Sequence, residues 1–514
     1  MLNLRLHIFL IIVFTLTNSA YSQNSQKLHL TEPVKIELER LGEAFQILDQ
    51  FAKDVWEGWD DYMNYPFLFT FQNGLRVLVG HPAPPPEFTQ STEVNVKGLS
   101  VYIDTANYNN YLVRQPLLCG GGILTLGSFN NKPVTIVDIS FISPESFQED
   151  NMNAFNGEST ILTFIHELMH CHQPKIREYR YGNLMIEPDL SFALYSDIEG
   201  QALLNAYKQS TLNESLPFIK DFCIARSLKL KDLSSSEKFF NSCDEFCEGV
   251  AVYSEFIILT GIKKGFRSSL PPESDKCYHH FADIDSLLNS YIDHLKSATG
   301  NTLEVHEKTY WYGCIEALLL ERYFPSWKNE IENGAWLDQV IRKNVDISKN
   351  DSIIAINRFI DIYHRDSLEN KHGAVISERD STYRMFRERK GRIYIIDFKP
   401  ISQFPGSLVD KTVKRFSFGF DYLYPDGIKE LKFDKISVSF NPVPVEINQL
   451  YSVKIIDIDS SIHYKPFEMN YESADTNGFL YNVTIITPYF TLKAPKVSIS
   501  ESSDTVKFTI HSNI

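Results

Sequence analysis

Apolar side chains recur every three or four positions along two parts of the chain, as they do on the buried face of an α-helix. The first part covers residues 28–60, and the second runs from residue 156 to about residue 370. Between them, shorter apolar runs at residues 75–79, 99–104 and 134–141 are typical of β-strands, and turn-forming residues separate them. This order predicts a small N-terminal sheet followed by a mostly helical domain.

The C-terminal part of the chain has a different pattern, in which short strand-like runs replace the helical periodicity. These runs lie at residues 393–398, 414–424, 431–440, 451–458 and 481–492, with a turn at 425–427. Residues 370–392 come before them and are polar and rich in charge, which favours a connector or a solvated face over a core element, and we expect a linker here. We therefore expect an α+β protein that ends in an all-β, sandwich-like domain at residues 393–514.

The first 22 residues have the three parts of a secretory signal. Arg5 supplies a basic start, residues 8–16 are apolar, and the small residues Ala20 and Ser22 suit cleavage after about Ser22. The apolar run is too short to span a bilayer, and no later run approaches the roughly 20 apolar residues of a membrane-spanning helix. We expect an exported protein without a transmembrane segment, either periplasmic or secreted.

Charge and cysteine content narrow the class of protein further. The 514 residues contain 50 Lys and Arg against 65 Asp and Glu, and the net charge of -15 argues against a nucleic-acid partner. Seven cysteines are an odd number at low density, so export predicts at most a few disulfides. Cys243 and Cys247 resemble half of a metal-binding knuckle, but no second pair follows at zinc-finger spacing. Buried structural thiols are the favoured interpretation.

Candidate catalytic chemistry is concentrated at residues 158–174, where His166, Glu167 and His170 form the pattern His-Glu-x-x-His. On a helix, two histidines four residues apart share one face, so both imidazoles can bind one zinc ion. Glu167 then lies beside the metal, where it can act as a general base. Apolar residues surround these three, and a buried helix needs a reason to carry such polar groups. The alternative is a pair of core histidines bonded to the backbone.

This segment resembles the zinc metallopeptidases that are built around His-Glu-x-x-His. The metzincin branch of that class would need Gly at position 173 and His at position 176, where this chain has Gln173 and Ile176. The resemblance is therefore to the gluzincin branch, in which a Glu on a later helix is the third zinc ligand. One departure is His172, at a position that is usually apolar in this class.

Two glutamates are candidates for the third zinc ligand that the resemblance implies. Glu199 follows His170 with 28 residues between them, which is close to the short spacing usual for gluzincins. Glu248 follows with 77 residues between, but residues 248–255 resemble the Glu-Gly-x-Ala-x-Tyr-x-Glu pattern that carries the zinc-binding Glu in many of these peptidases. Spacing favours Glu199 and local pattern favours Glu248, which we prefer. The other glutamate would orient a histidine or close the pocket.

Further along the chain, residues 306–327 resemble a Tyr-x-x-Gly helix found after the zinc site in related peptidases. That resemblance makes Tyr310 or Tyr312 a hydrogen-bond donor to the oxyanion that forms on an attacked carbonyl. The alternative is an aromatic core helix whose hydroxyl groups bond elsewhere.

The sequence pattern predicts a domain order, and the resemblance, which covers roughly residues 130–330, implies a function. We expect a signal peptide at residues 1–22, an N-terminal α/β region at 23–130 packed on the catalytic domain, a zincin-like, mostly helical catalytic domain at 131–369, a charged linker at 370–392 and the all-β domain at 393–514. The implied function is a zinc-dependent metallopeptidase that acts on a peptide or protein substrate, with Glu167 as general base. The alternative is a catalytically silent zincin scaffold that binds partners through its C-terminal domain. Endopeptidase and aminopeptidase activity both stay open.

Overall fold

The computed structural model describes most of the chain between residues 30 and 511. The described residues are 30–70, 75–104, 122–130, 132–138, 157–177, 186–271, 275–299, 305–388, 393–398, 416–418, 421–424, 426–433, 436–441, 444–448, 452–456, 467–502 and 505–511. The expected signal peptide at residues 1–22 therefore lies outside the described residues. None of the helices within these ranges combines the length and the apolar character needed to cross a bilayer.

A long helix and a six-stranded sheet form the N-terminal layer. Helix α1 spans Glu32–Val55, and a proline in its first turn suits a position whose backbone N–H has no helical partner. The strands are β1 Phe67–Thr70, β2 Arg76–Val79, β3 Thr89–Val96, β4 Leu99–Asp104, β5 Gly122–Phe129 and β6 Lys132–Asp138. Their order is β3-β4-β2-β1-β6-β5, and only the pair β1 and β6 is parallel among these strands. The runs predicted at 75–79, 99–104 and 134–141 fall on β2, β4 and β6.

Ten helices follow the sheet in the described part of the chain. They are α2 Gly157–Ile176, α3 Leu190–Tyr207, α4 Leu212–Lys229, α5 Ser235–Gly265, α6 Ile284–Thr299, α7 Val305–Tyr323, α8 Trp327–Glu332, α9 Leu337–Lys343, α10 Lys349–Asp361 and α11 Arg365–Arg387. Local signals fix the starts of α4 and α5, where Thr211 and Ser234 form capping boxes with Glu214 and Glu237. The predicted helical region is confirmed.

One apolar core joins the N-terminal layer to the helices and surrounds α2. Phe67 on β1 and Phe164 on α2 meet edge to face, with ring centroids 5.8 Å apart. Leu41 of α1 and Val250 of α5 are fully buried in the same core. Helix α2 packs against the sheet, α1 and α5, so Glu167 and the histidines at 166 and 170 lie within the protein and not on an open helix face.

The segment expected to be a linker is largely helical. Helix α11 includes residues 370–387, so most of the segment predicted at 370–392 is helical. The helix is mostly polar, but it buries His372, whose Nε2 lies 3.0 Å from Oδ2 of Asp197 on α3. The high charge density here belongs to the solvated face of a helix that packs on the helical region.

The C-terminal part of the described chain is a sheet of twelve strands with its own core. The strands are β7 Ile393–Asp397, β8 Phe416–Phe418, β9 Asp421–Tyr424, β10 Glu430–Phe433, β11 Ile436–Phe440, β12 Val445–Asn448, β13 Ser452–Ile456, β14 Glu468–Asn470, β15 Ser473–Ala474, β16 Leu480–Ile486, β17 Phe490–Glu501 and β18 Thr505–Ile510. Strand β17 pairs with β11, β16 and β18. Ile396 and Phe508 belong to a core separate from the helical one, while Phe386 of α11 packs on Leu423 and Ile456. The predicted α+β architecture is confirmed.

Candidate metal centre

Helix α2 brings His166 and His170 onto one face, one turn apart. Their ring centroids are 4.7 Å apart, and the ring planes are nearly perpendicular at 83°. The two imidazoles are 12% and 13% exposed, and Glu167 is 7% exposed. This arrangement follows from the helical period of about 3.6 residues, because residues i and i+4 lie one above the other on the same face of a helix.

Glu248 of helix α5 completes the cluster. Its Oε2 atom lies 3.5 Å from Nε2 of His166 and 3.4 Å from Nε2 of His170. Four-coordinate zinc has bonds of about 2.0–2.1 Å to nitrogen and oxygen, so its ligand atoms are about 3.3–3.4 Å apart. Both distances match this spacing, and the ligand atoms of the three residues all lie within 4.8 Å of one another. Two imidazoles and a carboxylate are also a donor set that zinc accepts.

Glu199, the other candidate for the third ligand, lies in a different part of the helical core. Its carboxylate on α3 accepts hydrogen bonds from Nε of Arg226 and from Nζ of Lys229, both at 2.6 Å. All three side chains are buried, and Glu245 and Glu316 also bind Arg226. The structure therefore brings Glu248, and not Glu199, to the histidines. The spacing argument fails because Glu199 neutralises buried cations instead.

The far ring nitrogens of both histidines are held by hydrogen bonds. Nδ1 of His166 donates to Oε1 of Glu255 at 2.7 Å, and the hydroxyl of Tyr291 donates to the other oxygen of that carboxylate. Nδ1 of His170 donates to Oε1 of Gln173 at 3.0 Å. These bonds orient the rings so that each Nε2 lies near Glu248 and is the nitrogen that could bind a metal. Glu255 ends the Glu-Gly-x-Ala-x-Tyr-x-Glu pattern, so its last position has a structural role.

Burial and nearby charges have opposite effects on the pKa values of His166, His170 and Glu248. Burial lowers the pKa of His166, but hydrogen bonds to Glu248 and Glu255 outweigh burial and raise that pKa well above its usual value. Burial also opposes the rise in the pKa of His170, for which Glu248 is the main cause. Burial raises the pKa of Glu248, yet the two imidazoles hold it well below its usual range. With Glu167, three carboxylates surround two imidazoles, and a divalent cation would offset two of their three negative charges.

Tyr310 lies at the cluster and Tyr312 does not. The Tyr310 ring on α7 stacks on His166, with centroids 6.1 Å and planes 13° apart, and its hydroxyl lies near enough to Glu248 to interact with that carboxylate. Burial and then the charge of Glu248 raise the pKa of Tyr310 well above its usual value, so the hydroxyl keeps its proton. Tyr312 is 1% exposed and donates to the backbone oxygen of Ser196 at 2.9 Å. Tyr312 is a core residue, and the prediction of a catalytic role for it is wrong.

Two glycines let α5 and α7 approach each other closely, which brings Tyr310 of α7 near Glu248 of α5. A Cβ at Gly249 would lie 2.4 Å from Cα of Gly313, and a Cβ at Gly313 would lie 2.0 Å from the backbone oxygen of Glu245. These distances are far shorter than van der Waals contact, so both positions need glycine. The glycines of the Glu-Gly and Tyr-x-x-Gly patterns therefore meet at one helix crossing.

His306 and Asp244 lie next to the cluster, although no sequence motif singles them out. Oδ2 of Asp244 accepts hydrogen bonds from Nδ1 of His306 at 2.9 Å and from Oγ1 of Thr309 at 2.7 Å. Ligand atoms of Asp244, Glu248 and His306 lie within 4.8 Å of one another. Their spacing from Glu248 and Tyr310 in the sequence indicates that they lie near the cluster. Asp244 is four residues before Glu248, and His306 is four before Tyr310, which puts each pair on one helix face.

No protein-family model, curated protein or solved structure matches this chain. Its function is therefore inferred from the geometry and chemistry of the site.

Proposed function

We propose that this protein is a zinc-dependent metallopeptidase that hydrolyses peptide bonds. The observation that carries the proposal is the meeting of His166, His170 and Glu248 at zinc-ligand spacing. Three protein ligands are the number that catalytic zinc sites use, because the fourth position serves water or substrate. Glu167 lies next to His166 on the same helix, where a general base is needed.

The residues around the candidate site have different roles in the proposed hydrolysis. Zinc, when bound, supplies a Lewis acid and makes water acidic enough to ionise near neutral pH. Glu167 accepts a proton from the attacking water and delivers it to the leaving amine. Tyr310 donates a hydrogen bond from its hydroxyl group to the oxyanion that develops on the carbonyl. Glu255 and Gln173 keep the two imidazoles oriented.

His306 is placed to contribute to the same site. Buried Asp244 holds its imidazole through Nδ1, and the ring packs edge to face on Tyr310 with centroids 5.1 Å apart. The His306 side chain is 45% exposed, so it lies on the solvent side of the cluster, where a substrate would enter. This position supports a second hydrogen bond to the oxyanion or to the substrate backbone.

Zinc content and peptide cleavage together test the proposal. We expect the wild type to hold about one zinc and Glu167→Gln to keep that zinc, but with kcat lower by on the order of 10²–10⁴-fold. His166→Ala should lose the metal. His172→Ala is the matched control, because His172 lies on the same helix but bonds to Asp61. Cleavage would be followed on an unstructured protein and on short peptides, with and without chelator.

Normal turnover by Glu167→Gln would contradict the proposed mechanism. Zinc binding by the wild type without cleavage of any peptide would favour the silent scaffold that binds partners through the C-terminal sheet. Peptides with free and with acetylated N-termini separate the two modes of cleavage, because only an aminopeptidase requires the free amine.

A further inference from the structure

Helix α5 carries a cysteine pair just before the candidate zinc ligand Glu248. Cys243 and Cys247 are buried, and their Sγ atoms are 3.9 Å apart. None of the six described cysteines is in a disulfide bond. The proposed hydrolysis uses neither thiol, and an apolar side chain would fill the same space equally well.

The two sulfur atoms are close to the distance at which they could bond. Residues four apart in a helix have Cα atoms about 6 Å apart, inside the range of about 4.4–6.8 Å found in disulfides. Their Cβ atoms are about 5–6 Å apart, whereas a disulfide requires about 3.5–4.5 Å. Bond formation would therefore tighten the helical turn between Cys243 and Cys247 by about 1 Å.

A cationic side chain lies near the pair. The charge of Arg177 acts on both thiols, and nearby cations are typical of reactive cysteines. Arg177 is fixed beside the pair, since its guanidinium lies 3.3 Å from the Trp336 ring centroid and donates to the backbone oxygen of Ala335. A thiolate next to a second thiol is the arrangement from which disulfide exchange proceeds.

The same turn of α5 is hydrogen-bonded to the candidate metal centre. The backbone oxygen of Cys247 accepts a hydrogen bond from Nε2 of Gln173 at 2.6 Å, and Oε1 of Gln173 accepts one from His170 at 3.0 Å. Cys247 also directly precedes Glu248 in the chain. Tightening this turn would act on two candidate ligands, on His170 through Gln173 and on Glu248 through the backbone.

We propose that Cys243 and Cys247 are a thiol–disulfide modification site whose oxidation weakens metal binding. The inference rests on the proposed zinc site. The oxidant is a small disulfide: one cysteine thiolate attacks it and releases one thiol, and the second cysteine then displaces the other thiol from the mixed disulfide. The protein gives up two electrons and two protons, and the small disulfide is reduced to two thiols. Export, which the N-terminal sequence predicts, would bring the pair into oxidising conditions.

Treatment of the purified protein with oxidised glutathione tests this inference. Zinc affinity would be measured by competition with a chelator for the reduced and the oxidised protein, and peptide mass spectrometry would identify the disulfide. We expect oxidised wild type to bind zinc about 10–100-fold more weakly, which is the effect of losing a hydrogen bond to a zinc ligand. Cys243→Ser should keep the reduced affinity after the same treatment. Cys277→Ser is the control and should respond like the wild type.

A disulfide between Cys243 and Cys247 that leaves zinc affinity unchanged would overturn the inference, as would its absence after full oxidation. Both results leave the zinc site itself in place. If reduced wild type binds no zinc, the proposed function has failed instead. Cys247→Ser is a second variant with the same expected behaviour if Cys243→Ser does not fold, and dithiothreitol should restore the affinity of the oxidised wild type.

Discussion

Arg40 shows how charged side chains are accommodated in the core of this protein. Its guanidinium donates to both oxygens of Asp275, at 2.6 and 3.0 Å, and to Oε1 of Glu37 at 2.9 Å. All three groups are buried, so two carboxylates share one cation. Burial raises the pKa of Glu37 more than Arg40 lowers it, and the pKa reaches about 7.

The raised pKa of Glu37 predicts that stability falls as pH rises. Between about pH 4.5 and about pH 7 the folded state keeps a proton that the unfolded state has lost. Over that window the free energy of unfolding of the wild type should fall relative to that of Glu37→Gln by up to about 3 kcal/mol, and then stay level. Urea unfolding at several pH values measures the difference. A difference that is constant with pH would contradict the prediction, and Glu57→Gln at an exposed position is the control.

The crossing of α5 and α7 brings the candidate catalytic groups together. Helix α5 carries Glu248 and helix α7 carries Tyr310, and these residues lie far apart in the chain. Gly249 and Gly313 remove side chains from the contact, so the two backbones approach closely. The polar groups of both helices then meet within hydrogen-bonding reach of each other.

Gly313→Ala should push these two helices apart. Its Cβ would overlap the backbone oxygen of Glu245, and relieving the overlap should cost about 1–3 kcal/mol of unfolding free energy. Peptidase activity should fall as well, because Tyr310 moves away from Glu248. Gly373→Ala on α11 is the control: no atom lies within 4 Å of its Cβ, so a gain of up to about 1 kcal/mol is expected. Urea unfolding that shows equal stability for both variants would rule out the close crossing.

The candidate metal centre belongs to one of two separately packed parts of the chain. Its ligands lie on α2 and α5, within the core that joins the N-terminal sheet to the helices, whereas the C-terminal sheet has its own core. The five tryptophans of the chain are Trp56, Trp59, Trp311, Trp327 and Trp336, and all of them precede the C-terminal sheet. Tryptophan fluorescence therefore follows the unfolding of the part that contains the metal centre.

Zinc should stabilise this part of the protein against heat. A ligand that binds only the folded state adds about 4 kcal/mol when its free concentration is about 1,000 times its dissociation constant. We expect zinc to raise the midpoint of thermal unfolding measured by tryptophan fluorescence, and Glu248→Ala to abolish that rise. An equal rise in Glu248→Ala would place the bound metal at another site.

Local pattern was sufficient for several elements of the fold. Strands β2 and β4 fall where short apolar runs end in turns, and the capping box at Ser234 marks the start of α5. Local pattern did not show that residues 370–387 are helical, because a linker and a solvated helix face have the same charge density. It also failed for Tyr312, since tyrosines two positions apart on one helix point in different directions and only packing shows which one reaches the cluster.

The amino-acid sequence alone determines that His166 and His170 share a helix face, because the helical period is a property of the backbone. Which glutamate joins them depends on contacts between residues distant in the chain. Buried Arg226 donates a hydrogen bond to Glu199 and holds it away from the histidines. The close crossing of α5 and α7 helps to hold Glu248 beside them. Such partners are set only when the helices pack, because burial makes each charge require a specific partner. The composition of the candidate metal centre is therefore a property of the tertiary structure.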